Sequence, residues 1–136
     1  MGLDTEPEAW SGAYSAFNRW RNQVAEAAGY TMTEMDIGWT KVMVPLISEE
    51  DYARYTGDIV YGDWAGVIPS DPLHYLFLHS DAEGMLTQGA CAALGERLLE
   101  ILPKFPVEND WAIAKTQKFA DGCFECVRQN VDMQFQ

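Results

Sequence analysis

The clearest periodicity in the chain is helical and lies near its start. Trp10, Ala13, Tyr14, Phe17, Trp20, Val24 and Ala28 recur at three- and four-residue steps, so residues 10–28 are expected to form one amphipathic helix stopped by Gly29. Residues 32–47 carry β-formers in Val42-Met43-Val44 ahead of Pro45, but Gly38 and a mixed period leave that stretch unassigned. Ser48 before Glu49, Glu50 and Asp51 reads as an N-cap followed by acids that favour the positive end of the helix dipole. That short helix is expected to end near Gly57. Ile59-Val60-Tyr61, with Gly62, Trp64, Gly66 and Pro69 after it, suits a strand fragment running into a turn-rich loop.

Asp71-Pro72 starts another short helix, since Asp caps well and Pro at the first helical position loses nothing by lacking an N–H; Leu73, Leu76 and Phe77 give it a buried face. Thr87 caps a helix whose stripe is Cys91, Leu94, Leu98 and Ile101, and Pro103 forbids its continuation. A last helix runs from Asn109-Asp110 to about Asn130 on Ala112, Phe119, Cys123 and Val127. Residues 131–135 alternate apolar and polar and predict a terminal strand able to pair with residues 1–5. The expected fold is mainly α (α+β): a compact helical domain with short helices and a minor β-pairing of the termini.

Composition narrows the class. The chain of 136 residues, 48% apolar, has room for a single globular domain over 1–136. Nine Lys and Arg against 21 Asp and Glu leave a net charge of −12. The acids occupy both halves of the chain, and such a field repels nucleic acid and anionic bilayers, whose binding needs clustered cations. The acidic opening is unlike a secretory signal, and no run approaches the roughly 18 apolar residues of a spanning helix. Cys91, Cys123 and Cys126 are too few to staple a secreted scaffold. A cytoplasmic protein with no direct nucleic-acid or membrane binding is expected.

Candidate chemistry is sparse. The run from His79 through Ser80, Asp81, Ala82, Glu83 and Gly84 to Thr87 echoes the opening of a calcium-binding EF-hand loop. His79 stands where that loop wants its first carboxylate, however, and Ala90 stands where it wants a bidentate Glu. No metal site and no cofactor are assigned. Ser80, His79 and Asp81 are adjacent, whereas a catalytic triad normally converges from distant positions, so an Asx-type turn is the plainer reading. His74 reads as a core-edge histidine. Cys123-Phe124-Glu125-Cys126 has the CxxC spacing, but it lies inside a predicted helix and lacks a second pair, which points to small buried residues. Arg19 and Arg21, interleaved with Phe17 and Trp20, suit an internal ion pair or the capture of one anionic group. Trp10, Tyr14, Trp39, Tyr61 and Trp64 supply aromatic surface for a core or an interface.

Several segments together resemble a family of small uncharacterised proteins of actinobacteria and their phages. They are Met1-Gly2-Leu3-Asp4, the stretch from Tyr14 to Arg21, Asp71-Pro72-Leu73, the His79-Ser80-Asp81-Ala82-Glu83-Gly84 turn and the Cys91-to-Leu102 helix before Pro103. The resemblance implies an origin and brings no established activity. The function expected is a non-catalytic binding or inhibitory module that acts on a host protein through an acidic, aromatic-rich surface. One alternative is a small-molecule or nucleotide sequestering or sensing protein, with Arg21, Trp64, His79, Asp81 and Glu83 around a pocket. The other is a small hydrolase using His79 and Asp81. No catalytic residue is assigned, and the oligomeric state is left open.

Overall fold

Alternation builds the first element. In β1 (Gly2–Glu6) Leu3 and Thr5 turn inward while Gly2, Asp4 and Glu6 face outward. The computed structural model describes residues 2–55 and 68–136. β1 pairs antiparallel with β2 (Ser11–Ala13) on one side and with the last strand, β6 (Met133–Phe135), on the other; β6 also takes β5 (Gly84–Leu86). The expected meeting of the two chain ends, with Thr5 opposite Phe135, is therefore one joint in a four-stranded sheet ordered β2-β1-β6-β5.

Residues 10–13 differ from their helical expectation. Thr5 Oγ1 accepts the N–H groups of Ala9 at 2.7 Å and Trp10 at 3.1 Å, and the Thr5 N–H donates to the Trp10 carbonyl at 3.0 Å. This side-chain staple turns the chain back along β1, so the ladder satisfies backbone groups that a helix would otherwise have used. α1 accordingly spans Tyr14–Ala27, and Gly29 follows it at φ 89°.

The unassigned stretch is a hairpin. β3 (Met32–Ile37) and β4 (Thr40–Pro45) are joined by Gly38-Trp39, with Gly38 at φ 78°, which a side chain would strain. α2 (Glu49–Arg54) is capped by Ser48, whose Oγ accepts the Asp51 N–H at 3.1 Å, and it ends before Gly57. Gly57, the Ile59–Tyr61 strand fragment and Trp64 lie outside the described residues. Asp71 Oδ1 accepts the Leu73 N–H at 3.0 Å and starts α3 (Leu73–Phe77). Thr87 caps α4 (Gln88–Ile101), which closes in a 3-10 turn at Leu102–Lys104 containing Pro103. Asn109 caps α5 (Asp110–Gln129), and Asn130 ends it in the left-handed region. Ser48, Thr87 and Asn109 stand at the cap positions their residue types predict, whereas Pro72 takes the cap position of α3 and Asp71 reaches the Leu73 N–H from one residue before it.

Among the described residues, five helices and six strands in two sheets make this an α+β fold. Its centre is aromatic: Trp10 stacks on Trp20 with centroids 5.5 Å apart, and Trp20 meets Phe119 of α5 at 5.0 Å. The Trp20 indole N–H donates to Thr116 Oγ1 at 2.9 Å, so the deepest polar pair is satisfied across helices. Each such fully buried ring contributes on the order of 2–3 kcal/mol by removal from water. No helix among the described residues is long and apolar enough to cross a membrane.

Candidate functional site

The turn that the sequence singled out is held together by Arg21. From the inner side of α1 its guanidinium donates to the carbonyls of His79 at 2.6 Å and Leu76 at 3.1 Å, which lie at and just beyond the end of α3. It also bonds Asn18, whose amide donates to Asp81 at 2.6 Å. Burial pushes the Arg21 pKa down to about 10 against the pull of Asp81, so it stays charged at neutral pH. His79 is buried against the Phe135 ring, with centroids 4.0 Å apart; its Nδ1 lies 2.8 Å from the Ser80 carbonyl and its Nε2 2.7 Å from that of Met85. Arg21, His79 and Asp81 thus come together, with their polar groups turned onto backbone and Asn18. Glu83 lies on the exposed side of the turn, where its N–H donates to Ser80 Oγ at 3.3 Å, and Gly84 beyond it leads into β5.

A second cluster escaped the sequence reading. His74, 2% exposed, sits between two phenols: Nε2 is 3.1 Å from the Tyr30 hydroxyl and Nδ1 is bonded to that of Tyr55. Tyr30 spends its single proton on Asp71, at 2.5 Å, and Asp71 is also paired with Arg97 at 3.1 Å. The direction of the chain follows by elimination. Tyr30 must accept from His74 Nε2–H, leaving Nδ1 as acceptor for Tyr55. Burial alone would raise the Asp71 pKa, but Arg97, Tyr30 and the Leu73 N–H outweigh it and hold the carboxyl below its ordinary value. Burial, ahead of the same Asp71 bond, raises Tyr30 well above the usual phenol range, and burial lowers His74 against the pull of Asp71 and Asp51. These side chains come from positions far apart in the sequence, so no local motif announces them.

Among the described residues, the most exposed large apolar side chain lies on the hairpin. Trp39 at its tip is 96% exposed, and Met35, Ile37 and Met43 are each nearly half exposed on the strands behind it. Thr33, Met35 and Ile37 share one face with Val42 and Val44, and that face overhangs α1. Between them runs a groove of about 600 Å³, with Met35, Ile37 and Val42 on the hairpin wall and Asn18, Arg19 and Arg21 on the helix wall. Arg19 also covers the Trp111 ring at 4.3 Å. Asn22 ties the two walls by donating to the Met43 carbonyl at 2.8 Å. The missed signal was the Gly at the first central position of a two-residue turn, with Thr33, Met35 and Ile37 alternating before it.

Cys91, Cys123 and Cys126 do meet, between α4 and α5, all fully buried. A hydrogen bond to Cys123 and then burial raise the Cys91 thiol, and burial first, then Cys91, pushes Cys126 up to about 12, so Cys91 and Cys126 are protonated packing residues at neutral pH. Among the described residues, no three His, Cys, Asp or Glu side chains group in a way that would hold a metal ion. No protein-family model, curated protein or solved structure matches this chain.

Proposed function

We propose that this protein is a non-catalytic binding module that engages a partner protein through the β3–β4 hairpin. One observation carries the reading: Trp39, 96% exposed on a tight turn, stands ahead of half-exposed Met35, Ile37 and Met43 on a ribbon that adds little to the protein's own core. Large apolar side chains presented together on a projecting element mark a contact surface, and Trp is enriched among residues that dominate binding energy. The inward bonding of the Arg21, His79 and Asp81 groups is in keeping with a role in holding rather than transforming. The resemblance to actinobacterial and phage proteins supports a host protein as the target, inside the cell.

The test is capture from host extract by wild type and by Trp39→Ala, with thermal melts of both. The expected result is a discrete captured protein that Trp39→Ala loses while its melting temperature is unchanged. Equal capture by both overturns the reading. The groove favours a second reading, sequestration of a small anionic molecule, because it sets Arg19 beside an apolar wall. Native mass spectrometry that finds a stoichiometric small molecule released from the purified protein selects this second reading over the first.

A further inference from the structure

The hairpin has two outer edges, and they are treated differently. Its two-residue turn makes Ile37 and Thr40 a hydrogen-bonded pair, and the Leu46 N–H donates to the Thr31 carbonyl at 2.8 Å, which fixes the same phase at the other end. Thr33, Met35 and Ile37 therefore turn their backbone groups toward β4, and Met32, Glu34 and Asp36 turn theirs away from it. On β4 the outward positions are Lys41, Met43 and Pro45. The Met43 carbonyl is occupied by Asn22, and Pro45 has no N–H to offer. The β4 edge is interrupted at two of its three outward positions. On β3 no backbone group among the described residues bonds the outward N–H and C=O groups of Met32, Glu34 and Asp36.

We infer that the outer edge of β3 is a docking edge that accepts an extended partner segment as an added antiparallel strand, with Lys or Arg alternating with apolar residues. The assignment rests on the partner-binding reading and specifies which part of the hairpin is used. Strand addition places each incoming side chain directly opposite one on β3. Glu34 and Asp36 lie on one face and are exposed, so residues opposite them must be cationic; Met35 and Ile37 lie on the other face and call for apolar neighbours. Lys41 already pairs with Glu34 from the β4 side at 3.7 Å, the same cross-strand chemistry. A second copy of this chain is the wrong occupant. Pairing β3 with itself about a two-fold axis sets Glu34 and Asp36 against the same acids, which is destabilising, and each copy carries a net charge of −12.

The experiment titrates the isotopically labelled full chain with a short, end-blocked peptide alternating lysine and valine, read by amide NMR and hydrogen exchange. Two counter-probes replace lysine by glutamate or N-methylate alternate amides. The Glu34 and Asp36 amides are expected to shift and to gain protection, with both counter-probes binding at least about tenfold more weakly. The Glu34→Gln/Asp36→Asn variant, which keeps the backbone edge, should also lose about tenfold. Unchanged Glu34 and Asp36 amides at about 1 mM peptide, equal binding of the glutamate probe, or a dimer formed through β3 in sedimentation overturns the inference. If β3 stays silent while Trp39-dependent capture persists, strand addition fails and the partner-binding reading stands. If β3 responds while capture ignores Trp39, the reverse holds.

Discussion

A methyl group added at Gly122 would lie 2.3 Å from the Ala9 Cβ and 2.8 Å from its Cα, and Ala9 cannot retreat because Thr5 holds its N–H. Gly122→Ala gains about 1 kcal/mol of helix propensity in α5, yet the overlap with backbone should cost more, for a net loss of about 1–3 kcal/mol in urea unfolding. Gly89, in the first turn of α4, meets nothing within 4 Å. Gly89→Ala should stabilise by about 0.5–1 kcal/mol, and a loss there of the size expected at Gly122 would show that the spacing at Ala9 is not the cause. The same scale explains why Arg21 is a poor candidate for ligand capture. Its donors already serve the Leu76 and His79 carbonyls, so truncating it would leave buried acceptors unpaired before any ligand was lost.

At the scale of elements, the hairpin should separate binding from stability. Trp39→Ala is expected to change unfolding free energy by no more than about 0.5 kcal/mol, since the ring has almost no burial to lose. The helices from α2 onward were legible because their starts are written locally: Ser48, Asp71, Thr87 and Asn109 each bond an N–H two or three residues on. β2 was not, because its state depends on the Thr5 staple, and the pattern of residues 10–13 alone favours helix. β3 and β4 were blurred for another reason. Their apolar face overhangs a groove instead of entering the core, so polar and apolar residues mix along both strands. Of the candidate site, Arg21 reaches the His79 carbonyl and, through Asn18, Asp81, yet the groove it lines includes neither His79, Asp81 nor Glu83, and His74 with Tyr30, Tyr55, Asp71 and Arg97 needed the tertiary fold to bring the partners together.

For the whole molecule, the His74 and Asp71 cluster sets the direction of acid sensitivity. Both groups have folded-state pKa values below their ordinary 6.5 and 3.8, so each adds stability that is complete above that value and lost as pH falls through the lower one. Urea midpoints should begin to drop as pH passes below 6.5 and drop again below 3.8; His74→Gln should flatten the first decline and Asp71→Asn the second. A wild-type midpoint constant between pH 8 and 4 would remove His74 from this account. The sheet order has a separate consequence. β6 lies between β1 and β5 and so joins the other two, and Gln136 exchanges backbone bonds with Asp4 at 2.9 and 3.0 Å. Ending the chain after Asp132 should therefore abolish cooperative unfolding, as judged by calorimetry. Thr5 and its partner Phe135 stand 130 positions apart, so their pairing closes a loop around all the helices, and the chain entropy that closure costs makes this joint a late event in folding.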